Sequence, residues 1–353
     1  MANTDSILSN PRTFLRKPLD ELDDDKIIVY DIETDHQYAP YAKLKTLAFQ
    51  QGLNSKPIFV ESTKQREFKE FKRKVSAPDI IKVDFNGVNF DRIVCARHGV
   101  MIHPQNAHDL YLMFKTAAPM LPAFSLKFAA FYYLGDPHFP EMDISRWCTE
   151  HGRGLAEAPR PLLRKYNNHD VKQTKMLLCM MWDVIIRKAF WKPYLNDLMM
   201  GEPLLEMETE GGIYLEPDLV DYNLHLLQRK VIHETKRAIK LTDGIVKNPN
   251  SSQQLAFWFT QFERIELELS DSGQFSVKKS VLVALKENNP LADCAFNIRE
   301  ANGSIKYFEN YEKALEDTTY NEKHGENWIP VQFSVSSART RRFTSQSMYR
   351  LNF

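Results

Sequence analysis

The 353-residue chain holds four cysteines, Cys95, Cys148, Cys179 and Cys294, and no two of them form a CxxC pair or stand beside matching histidines. That scatter argues against a structural zinc site and a disulfide framework and fits a reducing compartment. Net charge is also missing: 46 basic side chains balance 46 acidic ones. Any attraction for a polyanion must therefore come from local patches. Long hydrophobic runs are absent. The most apolar stretch, MLLCMMWDVII, is short and broken by Asp183, so no membrane span and no membrane partner are expected. The N-terminal MANTDSILSNPRTFLRKPLDELDDDK has no apolar segment of the signal-peptide kind. There is no internal repeat and no low-complexity tract. Together these absences point to a soluble, intracellular protein long enough for two domains.

Residues 1–25 are polar and acid-rich and read as a loose arm. From residue 26 onward, KIIVYDIET, AKLKTLAFQQ and KPIFVES read as strands. STKQREFKEFKRKV follows as a helix with Phe68, Phe71 and Val75 on one face. DIIKVDFN is a further strand running into a helix that begins near Gly87. Such an order predicts an α/β domain, a mixed sheet covered by helices, with its active face at the strand ends. Residues 158–200 are strongly helical, and a boundary is placed near Met200. LVDYNLHLLQRKVIHETKRAIKL, SSQQLAFWFTQF and SIKYFENYEKALED then predict a mostly helical second half. The expected divisions are an arm (1–25), an α/β domain (26–199) and a helical domain (200–353).

KIIVYDIETD places two carboxylates, Asp31 and Glu33, at the end of a buried strand. Desolvation and mutual repulsion both penalise that pair. Residues two apart share one face of a strand, so the two acids project side by side and form an oxygen site suited to a hard divalent cation. FNGVNFDRIV sets Asn86, Phe90 and Asp91 at a strand-to-helix junction. KYNNHDVKQT puts Tyr166 and Asp170 one helical turn apart on one face. Taken singly, Asp91 reads as an acid at a helix N-terminus, and Tyr166 with Asp170 as a surface pair.

As a set and in this order, Asp31-x-Glu33, Asn86-x-x-x-Phe90-Asp91 and Tyr166-x-x-x-Asp170 resemble the DEDD 3′–5′ exonucleases. Tyrosine four residues before the last Asp matches their Tyr subtype. The His subtype carries histidine five residues before it, where this chain has Lys165. The resemblance implies an RNase H-like sheet and two divalent cations, Mg²⁺ or Mn²⁺, held by Asp31, Glu33, Asp91 and Asp170. It assigns Tyr166 to aiming the attacking water, since a phenol with an ordinary pKa of about 10 is a poor base at neutral pH. It also places Ile32, Thr34, Asn86 and Phe90 against a single-stranded DNA 3′ end.

The likeness extends further. EPLLEMETEGGIYLEP resembles the segment joining the proofreading and polymerase domains of family-A DNA polymerases. KNPNSSQQLAFWF, with Asn248, Ser251, Gln254 and Leu255, resembles part of their thumb. QFSVSSARTRRFTSQSMYRLNF resembles the approach to their palm, with arginine replacing the glycine of a Thr-Gly-Arg triplet. There Arg341 and Arg342, among Thr and Ser donors, are candidate contacts to the backbone of primer-template DNA. The sequence stops at Phe353, about where that palm begins. The expectation is a proofreading exonuclease of a truncated or split polymerase, partnered by palm and fingers elsewhere and unable to polymerise alone. A standalone ribonuclease resembling RNase D and a non-catalytic DNA- or replisome-binding scaffold are the alternatives.

Overall fold

The computed structural model of the chain describes residues 16–61, 63–137, 139–210, 212–269, 273, 275–316, 325–329, 331–335 and 344–346. Its central strand is β1 (Ile27–Thr34). After it come β2 (Leu44–Gln51), β3 (Ile58–Val60), helix α1 (Arg66–Val75), β4 (Ile81–Asp84), helix α2 (Asp91–Arg97) and β5 (Ala107–Asp109). The five strands form one sheet in the order β3-β2-β1-β4-β5. β1 and β3 run antiparallel to β2, whereas β4 is parallel to both β1 and β5. This is the mixed, helix-flanked, RNase H-like sheet expected from the sequence.

β1 reads IIVY without polar alternation because both of its faces are covered. Ile28, Tyr30 and Ile32 pack with Phe68, Phe71 and Val75 of α1 and with Ile93 and Val94 of α2. Ile27 and Val29 face the other layer, made by α3 (Leu110–Ala117), α4 (Leu126–Leu134), α6 (Arg160–Ile185) and α7 (Lys188–Glu210), while α5 (Phe139–His151) packs on α6 through Ile144. Asp109 and Ser125 cap α3 and α4 by accepting from Leu112 N and Phe128 N.

Two expectations are corrected here. Residues 16–25 are docked and not loose. Leu19 and Leu22 pack on the core, Trp182 Nε1 donates to Lys17 O at 2.8 Å, and Leu19 N donates to Asp183 Oδ1 at 3.1 Å. The boundary near Met200 falls inside α7, which passes over the turn at Gly87–Asn89. Gly201 permits that close approach, since a Cβ there would lie 2.4 Å from Val88 Cγ1. The chain instead forms one compact unit from residues 1–212 with 330–347, and a second from 213–329 with 348–353.

The second unit opens with β6 (Ile213–Tyr214) and continues through α8 (Pro217–Leu241), α9 (Ser252–Gln261), α10 (Lys279–Leu285) and α11 (Pro290–Leu315). It closes with β7 (Trp328–Ile329), antiparallel to β6. Ala238, Leu255, Phe259, Leu282, Leu291 and Ala295 form its core. The Asn248–Leu255 pattern works as a local cap. Ser251 Oγ accepts from Gln254 N, Gln254 Oε1 accepts from Asn248 N, and Leu255 is buried.

β8 (Gln332–Ser334) and β9 (Thr344–Gln346) belong to the first unit. Gln332 accepts from Ala39 N at 3.2 Å and donates to Asn89 O at 2.5 Å. Val335 N donates to Asn89 Oδ1 at 2.7 Å.

Candidate metal centre

α6 carries a stripe of inward residues at three- and four-residue steps, and along its C-terminal half these are Leu177, Leu178, Met181, Trp182 and Ile185. Toward the end of β1 the same stripe turns polar, as Tyr166, Asn167 and Asp170. That change of residue type on one continuous face brings a helix carboxylate to the strand carboxylates. One oxygen each from Asp31, Glu33 and Asp170 lies within 4.8 Å of the others, with Asp31 half-buried and the other two buried.

Crowding shows in the protonation of the cluster. Withdrawal from solvent and then the charge of Asp170 push Asp31 up to about 8. Burial, then Asp31, raises Glu33 well above the usual carboxylate range. Asp91 is raised by burial, then by Asp31, although it stands outside the 4.8 Å trio. Asp170 is raised by burial, against the pull of Lys127. Burial, with repulsion between Asp31 and its neighbours, keeps protons on a set of hard-oxygen donors, and a divalent cation fits such a set.

The trio lies in an open cleft of about 590 Å³ that is also lined by Ile32, Phe85, Asn86, Tyr111, Phe124, Lys127 and Tyr166. Ile32 sits in the core on the other side of β1, as its alternation predicts, yet reaches the cleft wall where the β1–β2 register shifts between Glu33 and Thr34. Thr34 Oγ1 is turned to His36 O, at 2.8 Å. Phe90 packs against the α1–α2 core. Neither Thr34, Phe90 nor Asp91 lines the cleft. Arg341 and Arg342 lie outside the described residues.

Tyr166 OH accepts from Lys127 Nζ at 2.5 Å, and the same ammonium donates to Asp170 Oδ2 at 3.0 Å. Burial, then Asp170 and Glu33, hold the phenol above its ordinary range, so it remains protonated at neutral pH.

Five supporting residues went unread in the sequence. Asn167 Nδ2 donates to Asp31 Oδ2 at 2.6 Å. Arg92, next to Asp91, makes a two-pronged pair with buried Asp84 through Nε at 2.8 Å and Nη2 at 3.1 Å, and Tyr30 OH donates to the same carboxylate at 2.6 Å. Asp109 accepts from Asn86 N and Val88 N, both at 3.0 Å, holding a turn in which Asn86 is left-handed at φ 66°. Lys127 is the fifth. Asp84, Arg92 and Asn167 flank the motif residues within the quoted stretches and offered a signal by adjacency. Asp109 and Lys127 offered none.

No protein-family model matches the sequence, and no curated protein matches it. Among solved structures the fold is similar to one described as the POL domain of Pol1 from M. smegmatis in complex with DNA primer-template and dNTP. The TM-score is 0.60 at 14% sequence identity, covering 92% of this chain and 51% of that one. The chain thus spans about half the length of the structure it matches. The likeness is one of fold, and fold with carboxylate cluster is consistent with metal-dependent nuclease chemistry. Among the described residues no helix is long and apolar enough to cross a membrane.

Proposed function

We propose that this chain is a metal-dependent 3′–5′ exodeoxyribonuclease of the DEDD Tyr subtype, the proofreading part of a family-A DNA polymerase. The observation that carries the reading is the convergence of Asp31, Glu33 and Asp170 within 4.8 Å at a cleft that Tyr166 also lines. Asp31, Glu33 and Asp170 would hold the nucleophile-side ion, with Asp31 and Asp91 serving a second. When bound, Mg²⁺ or Mn²⁺ supplies an activated water and offsets charge on the leaving oxygen.

The protein's own groups do the rest. Tyr166, kept protonated, orients the attacking water by hydrogen bonding and does not take its proton. Asn167 fixes the Asp31 carboxylate, and the Asp84–Arg92 pair anchors the helix start that carries Asp91. Ile32 and Asn86 line the cleft where a 3′-terminal nucleotide would sit. Residues 200–353, including Arg341 and Arg342, are read as the start of a polymerase region that meets primer-template DNA and a palm-and-fingers portion elsewhere.

The test is a gel assay on 5′-labelled single-stranded DNA with Mg²⁺ or Mn²⁺. A ladder shortening from the 3′ end, abolished by EDTA and by the Asp31→Ala/Glu33→Ala double variant, is expected. Intact DNA from folded protein under every metal condition would sink the proposal.

A further inference from the structure

Lys127 is a cation already seated among the metal ligands. It stands in α4, a helix of otherwise apolar sequence, LKFAAFYYL. Its Nζ lies 3.0 Å from Asp170 Oδ2, 2.5 Å from Tyr166 OH and 3.4 Å from Glu141 Oε2 on α5, and 4.7 Å from the centre of the Tyr166 ring. Burial opposes its charge, yet Asp170 and Tyr166 keep it firmly protonated. A divalent ion that takes Asp170 as a ligand meets this ammonium at short range, where like charges repel strongly. Asp170 cannot serve both fully. The lysine side chain is 29% exposed and has a flexible four-carbon stem, so it has room to leave. Glu141, already within ion-pair distance and 39% exposed, is the carboxylate that would receive it.

We propose that Lys127 is a built-in counter-cation that competes with the divalent ion for Asp170 and is passed to Glu141 when the ion binds. The proposal rests on the metal-dependent reading above. It makes the site's metal affinity an adjustable quantity: the more firmly Lys127 holds Asp170, the more metal is needed to fill the site. Because such coupling is reciprocal, bound metal must equally weaken the Lys127–Asp170 contact.

The experiment is a calorimetric Mn²⁺ titration of the full chain without nucleic acid, on the unsubstituted protein, Lys127→Met, Glu141→Gln and the double variant. Loss of one close positive charge is expected to tighten Mn²⁺ binding about tenfold in Lys127→Met. Glu141→Gln, which removes the carboxylate that would receive the ammonium, is expected to weaken binding severalfold, and to do nothing when Lys127 is already Met.

A lysine that merely props the cleft open gives the opposite sign, with looser Mn²⁺ binding in Lys127→Met. That result, or unchanged affinity, overturns the proposal. Should Lys127→Met fail to fold, Glu141→Gln still decides: tighter or unchanged Mn²⁺ binding rejects the hand-over. If the unsubstituted protein takes up no Mn²⁺, the metal-dependent reading itself fails, an outcome distinct from either.

Discussion

Asn167 Nδ2 lies 2.6 Å from Asp31 Oδ2, so the residue beside Tyr166 on α6 fixes the first carboxylate of β1. Asn167 itself is fully buried, and Thr46 Oγ1 stands 3.5 Å from the other end of the amide. A strand and a helix separated by more than a hundred residues are thus locked together at the reactive end.

Asn167→Ala should therefore cost about 1–3 kcal/mol of stability, because it strips a half-buried carboxylate of its donor. Loss of a group that orients a ligand should also weaken Mn²⁺ binding by about ten- to hundredfold. Urea denaturation and calorimetric titration measure the two separately.

The pH dependence runs against the usual direction for acids. Asp31 is raised from 3.8 to about 8, and Glu33, Asp91 and Asp170 are raised as well. Between about pH 4 and about pH 8 the folded chain holds protons that the unfolded chain has released, so stability falls as pH rises through that window. In chelator-containing buffer the urea midpoint should drop from about pH 5.5 to about pH 7.5. The decline should flatten in Asp31→Asn and on adding Mg²⁺, which replaces the protons.

Gly87→Ala should destabilise the chain by about 1–3 kcal/mol through overpacking. The added Cβ would lie 2.2 Å from Asp84 Cγ, driving into the carboxylate that Arg92 and Tyr30 share. Displacement of Arg92 should move neighbouring Asp91, so the proposed nuclease activity should fall even at temperatures where the variant is fully folded by circular dichroism.

Asp109→Asn replaces one carboxylate oxygen with an amide NH2, setting donor against donor at Asn86 N or Val88 N, each now 3.0 Å from a carboxylate oxygen. A mismatched buried hydrogen bond of that kind costs about 1–3 kcal/mol. Hydrogen exchange by mass spectrometry should show faster exchange in a peptide spanning residues 85–90, with residues 27–30 of the central strand unchanged.

What was legible in the sequence followed from periodicity and adjacency. IIVYDIET announced a covered strand ending in two acids on one face, and Tyr166 with Asp170 announced one helical turn. Their meeting is a consequence of which face of β1 the α6 stripe covers. Residues 100–157 were illegible for physical reasons. α4 is apolar all round and shows no amphipathic period, and β5 is only three residues long. Asp109 acts on backbone N–H groups 21 and 23 residues away, a contact that leaves no local pattern. Lys127 gave no signal because one lysine in an apolar helix reads as a side chain reaching for water. The docking of residues 16–25 left no pattern because their apolar anchors, Leu19 and Leu22, are isolated among acids.

The pairing of Ile213 with Ile329 and of Tyr214 with Trp328 has a wider consequence. The helical unit's two described ends lie side by side in that ladder, so its helices start and finish at one closed seam. Closing a chain across such a seam costs an entropy that grows only slowly with the length of the stretch between. The helices within the unit can therefore lengthen or shorten without prising the seam apart.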